Sequence, residues 1–158
     1  MCALFVCTCT FAQNNETTNS NTTDVGVVID GVKWATRNVG RPGKFVDEPQ
    51  YGGRHYSLEE ACKVCPNGWR LPTKEEFGDL VSTGYEWTNK GMEFANGKLF
   101  LPAAGVDYKL NQSVAYAGET GYYWSSTNFA MLFHDNGKMS PSDDRDRALG
   151  FSVRCVKE

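Results

Sequence analysis

Histidine is scarce in this chain. His55 and His134 are the only two, and neither stands at a ligand spacing from the cysteines that would make a zinc site. Charge of one sign is not in excess either. The 16 Lys and Arg against 19 Asp and Glu leave a net charge of −3 and a pI near 5.4, with the basic residues scattered. Nothing electrostatic therefore points to nucleic acid or to an anionic membrane as partner. There is no Gly-x-Ser-x-Gly elbow and no glycine loop ahead of a helix, which removes the usual seats of a serine nucleophile and of a phosphate. Long apolar runs are missing too. The nearest candidate, residues 3 to 12, is too short to cross a bilayer but suits the core of an export signal. Thr10-Phe11-Ala12 fits a small-x-small cleavage site, so cleavage is expected after Ala12, although the basic residues that usually precede such a core are absent. A buried N-terminal strand is the alternative. Lipid attachment at Cys7 or Cys9 is the weaker option, because Leu4-Phe5-Val6 places no small residue before Cys7.

What is present favours short strands and turns. Aromatic residues make up 13% of the chain, with 16 Gly, 4 Trp and 7 Tyr, and 158 residues suffice for one domain with a substantial core. Residues 13–24 are rich in Asn, Thr and Ser with almost nothing to bury, and read as a flexible tether. The glycosylation sequons at Asn15, Asn21 and Asn111 are what chance gives in such a composition. Residues 25–158 form the expected domain. Asp30-Gly31 between two β-branched runs predicts a hairpin over residues 25–35, and residues 40–53 predict a loop. Ser57 with Glu60 three residues on is a capping box, and Leu58, Ala61, Cys62 and Cys65 fall on one helical stripe that Pro66 ends. Thr73 with Glu76 opens a second helix, whose apolar face is Phe77, Leu80 and Val81 and whose stop is Gly84. Strands are predicted at Leu99–Leu101, Tyr122–Trp124, Met131–Phe133 and Leu149–Val156. Two early helices followed by strands define an α+β domain.

Once a signal segment carrying Cys2, Cys7 and Cys9 is removed, Cys62, Cys65 and Cys155 remain, an odd number. Cys62-Lys63-Val64-Cys65 is a C-x-x-C motif, which elsewhere signals redox chemistry. Here it ends a helix, whereas a helix N-terminus is what lowers a thiol pKa. A structural disulfide is the better reading.

Gly31-Val32-Lys33-Trp34-Ala35-Thr36-Arg37-Asn38, Gly68-Trp69-Arg70-Leu71-Pro72-Thr73 after Ala61–Pro66, Leu101-Pro102-Ala103-Ala104-Gly105, Tyr123-Trp124-Ser125-Ser126-Thr127 and Gly150-Phe151-Ser152-Val153-Arg154-Cys155-Val156 occur in that order. Together, over residues 27–157, they resemble the Fibrobacter succinogenes major paralogous domain family. The resemblance implies an exported bacterial protein with a C-type-lectin-like fold, two helices and a mixed or antiparallel set of strands with long loops on one side. It also implies a disulfide between Cys65 and Cys155, joining the first helix to the last strand, which leaves Cys62 as a buried thiol. The Tyr-Trp-Ser-Ser-Thr and Gly-Phe-Ser-Val-Arg segments are also similar to the target proteins of diversity-generating retroelements. In those proteins, adenine-directed mutagenesis rewrites a surface patch. Residues 128–149 fit such a patch, although Met131, Lys138 and Met139 are not reachable from an AAC codon by changing adenines.

The expected function is non-enzymatic: an exported, receptor- or adhesin-like binding module, monomeric, with a protein or glycan ligand on another cell or surface. No cofactor or metal is expected, and no membrane insertion after signal cleavage. Its contacts are expected from Asn128, Phe129, His134, Asp135, Asp143, Asp144, Arg145, Asp146 and Leu149, helped by the loop around 107–118. Asp143, Asp144 and Asp146 suggest calcium, but Arg145 and Arg147 interleave them and cancel much of a cation's attraction. A structural cell-envelope or adhesin-tip domain is the alternative. A formylglycine-generating type of modifying enzyme comes third, because the catalytic cysteine pair of that fold relative has no counterpart here. Trp34, Trp69 and Trp124 are expected in the core, Trp87 partly exposed, and His55 and His134 on the surface or in loops.

Overall fold

The computed structural model describes residues 23–158. The expected signal segment, most of the tether, Cys2, Cys7, Cys9 and the sequons at Asn15 and Asn21 lie outside the described residues. The domain is α+β, with two short helices among several small antiparallel sheets.

The hairpin at Asp30-Gly31 forms as its residues dictate. β1 (Val27–Ile29) and β2 (Val32–Trp34) pair antiparallel, and both turn residues have positive φ, 48° and 79°. Asp24, assigned by composition to the tether, is bound into the fold. Its fully buried carboxylate accepts hydrogen bonds from Gly26 N (2.8 Å), from Thr36 N and Oγ1, and from Arg37 Nε at 3.2 Å.

Both capping boxes are present, at Ser57 with Glu60 and at Thr73 with Glu76. The first helix is shorter than its apolar stripe suggests. α1 (Leu58–Ala61) is a single turn, and beyond it Lys63 N bonds back only three residues to Glu60 O while Val64 O accepts from Gly43 N. Pairing with the 40–45 loop thus replaces further helix before Pro66 is reached. Next come β3 (Trp69–Arg70) and α2 (Lys74–Ser82), the latter burying Phe77 and Leu80. β4 (Tyr85–Thr88), β5 (Gly91–Phe94) and β6 (Leu99–Pro102) make a three-stranded meander. β7 (Val106–Asp107) pairs with β8 (Val114–Ala115), and β9 (Thr120–Trp124) with β10 (Ala130–His134). β11 (Val156–Lys157) inserts between β2 and β3, with Val156 opposite both Trp34 and Arg70.

Residues 149–156 do not form one strand. Gly150 bridges Asp107, Phe151 bridges Tyr56, Ser152 bridges Tyr123, and Val153 O and Cys155 O accept from Val39 N and Ala35 N. The run is apolar because it threads the interior and changes partner at almost every residue. A regular sheet is not the cause.

The β9–β10 hairpin and this thread divide two apolar clusters. Trp124, Ala130, Leu132, Phe151 and Val153 pack with Tyr56, Leu58 and Trp69 on one side. Tyr123, Met131, Phe133 and Val156 pack with Trp34, Phe77, Met92 and Phe94 on the other. Both faces of β10 are therefore buried, which is why it reads as a continuous apolar run. Cys65 and Cys155 form the disulfide, with Cα atoms 6.1 Å apart. Cys62 is not a buried free thiol. It is the C-cap residue of α1, half-buried and disulfide-bonded. Trp34, Trp69 and Trp124 are core residues, and Trp87 is partly exposed.

Candidate functional site

Residues 135–149 leave β10 and fold back along it. His134 N bonds to Lys138 O, Ser140 N to Leu132 O, and Ser142 and Ala130 exchange both backbone bonds. Residues 138–142 thus run as a third rail beside β9–β10, and the loop 143–149 that follows is fastened at both ends. Asp143 accepts two 2.8 Å bonds from Lys74 Nζ on α2, and Arg147 O accepts from Leu58 N at the start of α1. Within the loop, Asp146 Oδ1 caps Ala148 N, and Asp144 holds φ +58°.

The expected contact residues separate into two groups. Asp135, Asp143, Asp144 and Asp146 are exposed, while Arg145, Asn128, His134 and Leu149 are half-buried. Phe129 is not a surface contact. It is 6% exposed, lies in the second apolar cluster, and carries Lys74 Nζ 5.2 Å above its ring. The alternation that buries Met131 and Phe133 begins with it. His134 has both ring nitrogens engaged, Nε2 with Ser140 Oγ at 3.1 Å and Nδ1 with Thr120 Oγ1 at 3.4 Å. Leu149 packs on the first cluster. Among the described residues no three His, Cys, Asp or Glu side chains gather in a way that would hold a metal ion.

The loop 107–118 is joined at Asp107 to Gly150, the residue that follows this segment, and it carries exposed aromatic residues. Asp107 N and O pair with Gly150 O and N, and the Asp107 carboxylate, fully buried, accepts from Lys109 N and Gln112 N to hold the loop's shape. Tyr108 and Tyr116 are about half exposed (54% and 53%), with Leu110 and Val114 also exposed beside them in the chain. Tyr122 of β9 is half-buried, with its ring 5.0 Å from that of Phe151. Burial raises the Tyr122 hydroxyl above the ordinary phenol range. Tyr108 adds to the rise, Arg145 opposes it, and Tyr116 adds a smaller part. Tyr108, Tyr116 and Arg145 thus lie near enough to Tyr122 to act on its hydroxyl. Arg145 Nε is buried there without a hydrogen-bond partner, as is Asn128 Oδ1. Two exposed tyrosines in a polar Asn/Ser loop were the available signal.

His55 lies in a loop, as expected for one of its two alternatives, but it is buried there. It is 5% exposed, and its Nε2 donates to Ala104 O at 2.9 Å. Burial lowers its pKa, against smaller opposing contributions from the Ala104 bond and Asp107, so the ring is neutral at pH 7. The 50–55 segment is wedged against the turn after β6, which encloses it. Beneath both loops lies a buried polar network. Arg154 Nε donates to Asn38 Oδ1 (2.8 Å) and its Nη1 to Ala35 O, Asn38 Nδ2 donates to Gly52 O and Tyr123 Oη, and Tyr123 donates to Pro102 O. Comparison of the chain with family models, with curated proteins and with solved structures finds no significant match.

Proposed function

We propose that this chain is an exported binding module of C-type-lectin-like type, belonging with the major paralogous domain proteins, and that it captures its ligand on the Tyr108–Tyr116–Tyr122–Arg145 patch and the adjoining acidic loop. The observation that carries this reading is the patch itself: exposed tyrosines and an incompletely bonded arginine on loops whose ends are fastened to the scaffold. Tyr and Arg are the residues in which interface energy concentrates, and fastened loops lose little entropy on binding. The Cys65–Cys155 disulfide suits an oxidising compartment, and among the described residues no helix is long and apolar enough to cross a membrane.

If the segment is rewritten by a retroelement, the variable positions fall among residues 135–149, since Phe129, Met131, Leu132 and Phe133 are committed to the core. A template repeat beside the coding sequence, mismatched at adenines in those codons alone, is the expected finding. The binding test is an array of glycans and purified surface proteins probed with the wild type and with Tyr108→Ala/Tyr116→Ala/Arg145→Ala. Loss of the wild-type signal by tenfold or more at unchanged melting temperature is expected, as removing a hot spot of about 2 kcal/mol requires. Retention of full binding by the triple variant would remove this patch from consideration.

A further inference from the structure

A cleft distinct from the tyrosine patch is lined on one side by Val114, Ala117 and Gly118 of the same 107–118 loop. It is an open cleft of about 380 Å³ between the 50–55 segment, the β4–β5 turn and the chain leaving β6. This is the lower end of the range for small-molecule sites. Its floor is small: Gly52, Gly53, Ala103 and Ala104 line it, and Gly52 packs so closely on Ala104 that a Cβ there would come within 2.4 Å of the Ala104 Cβ. That floor is held rigid from behind. Gly52 O, Pro102 O and Ala104 O accept from Asn38, Tyr123 and His55 at 2.8, 2.7 and 2.9 Å. The N–H groups of Ala103, Gly105 and Gly118 are bonded to Lys90 O, Thr120 O and Ala103 O.

The rim carries Gln50, Asn89 and Lys90, all exposed, and among the described residues their side chains bond to nothing. Phe100 is half-buried and lies over Gly91, where a Cβ would meet its Cζ at 2.4 Å. Two planar amides can each donate to one hydroxyl and accept from its neighbour, and an ammonium offers three further donors. An aromatic ring beside them matches the C–H face of a sugar, while the small floor lets a ring approach closely. With one flexible cation, no arginine fork and no acidic side chain in the lining, the cleft suits an uncharged polyol better than a carboxylate or phosphate. We propose that this cleft is a calcium-independent binding site for a neutral sugar ring.

The test is an amide NMR titration of the folded chain with a panel of free neutral hexoses and N-acetylhexosamines, in buffer containing a calcium chelator. For at least one sugar, shifts are expected at Gly52, Gly53, Lys90, Ala104 and Gly118. Asn89→Gly removes one amide without backbone strain, since residue 89 has φ +44°. Combined with Gln50→Ala it is expected to weaken binding about tenfold or more while the remaining spectrum is unchanged. The proposal is overturned if no sugar shifts those amides or if the shifts map to residues 143–149. It is equally overturned if they require calcium, survive the double variant, or arise with N-acetylglycine in place of the sugars.

Discussion

Asp24 shows how much one side chain can fasten. It ends a stretch with no apolar residues to bury, yet its carboxylate satisfies two backbone N–H groups, a hydroxyl and the Arg37 guanidinium. Asp24→Ala strands that partly buried cation and is expected to cost about 3 kcal/mol in denaturant unfolding. Loss below about 0.5 kcal/mol would mean that the domain begins after it, as composition suggests. The buried phenols allow a second residue-level prediction. Burial pushes Tyr56 and Tyr123 up to about 12, whereas in the unfolded chain they ionise near 10. Between those values the folded state holds protons that the unfolded state has released, so stability falls as pH rises through the window. Arg154, lowered to about 10 by its burial, works in the opposite direction over the same range, one guanidinium against two phenols. The net expectation is a decline above about pH 10, with the phenolate absorbance of Tyr56 and Tyr123 delayed toward about pH 12. A stability curve rising with pH there would show that the Arg154 contribution dominates.

At the level of elements, β9–β10 depends on close approach. Gly121 lies under Phe133, and a Cβ there would fall 2.1 Å from its Cζ. Gly121→Ala is expected to destabilise by about 1–3 kcal/mol through overpacking, with Phe133 displaced from the core. Gly137→Ala, at φ +76° in open space, carries backbone strain of about 1 kcal/mol and no collision. The Cys65–Cys155 link spans a sequence separation of 90, for which the chain-entropy account gives about 4–5 kcal/mol. Non-reducing peptide mapping should recover that pair, and Cys155→Ser should cost about 2–5 kcal/mol. The helices and the first hairpin were legible because their signals are local: an Asp-Gly turn and two capping boxes need no tertiary context. β4–β5 was not legible, because its turn is Asn89-Lys90, with positive φ at both residues and no glycine to announce it. Residues 149–156 read as a strand because burial alone makes a sequence apolar, whatever the backbone pairs with. The same limit applies to the site. Asp143, Asp144 and Asp146 stand out as a charged loop, but the tyrosines that complete the patch lie some 30 residues earlier and arrive through the Asp107–Gly150 bridge. Phe129 was misplaced because nothing in the sequence marks where β10 begins.

In the whole molecule, the far end of the domain closes its beginning. β11 lies between β2 and β3, Phe151 and Val153 fill the first cluster, and Gly150 positions the loop that carries Tyr108. Scaffold and binding face are therefore completed by the same few residues. Contacts of this separation impose their loop-closure entropy before any pairing rewards it, so the closing step belongs late in folding. A chain ending at Cys155 keeps the cysteine but loses Val156, splitting the four-stranded sheet and opening the second cluster, whereas a chain ending at Lys157 loses the exposed Glu158 and its one backbone bond to Gly68 O. The longer truncation is expected to keep a dispersed amide spectrum and the melting temperature of the full chain. The shorter one is expected to lose dispersion even when oxidised, since a disulfide restricts the unfolded ensemble without supplying the missing apolar surface. A folded, cooperative domain ending at Cys155 would show that the central strand is an accessory, with the β9–β10 hairpin and its two clusters sufficient to hold the loops in place.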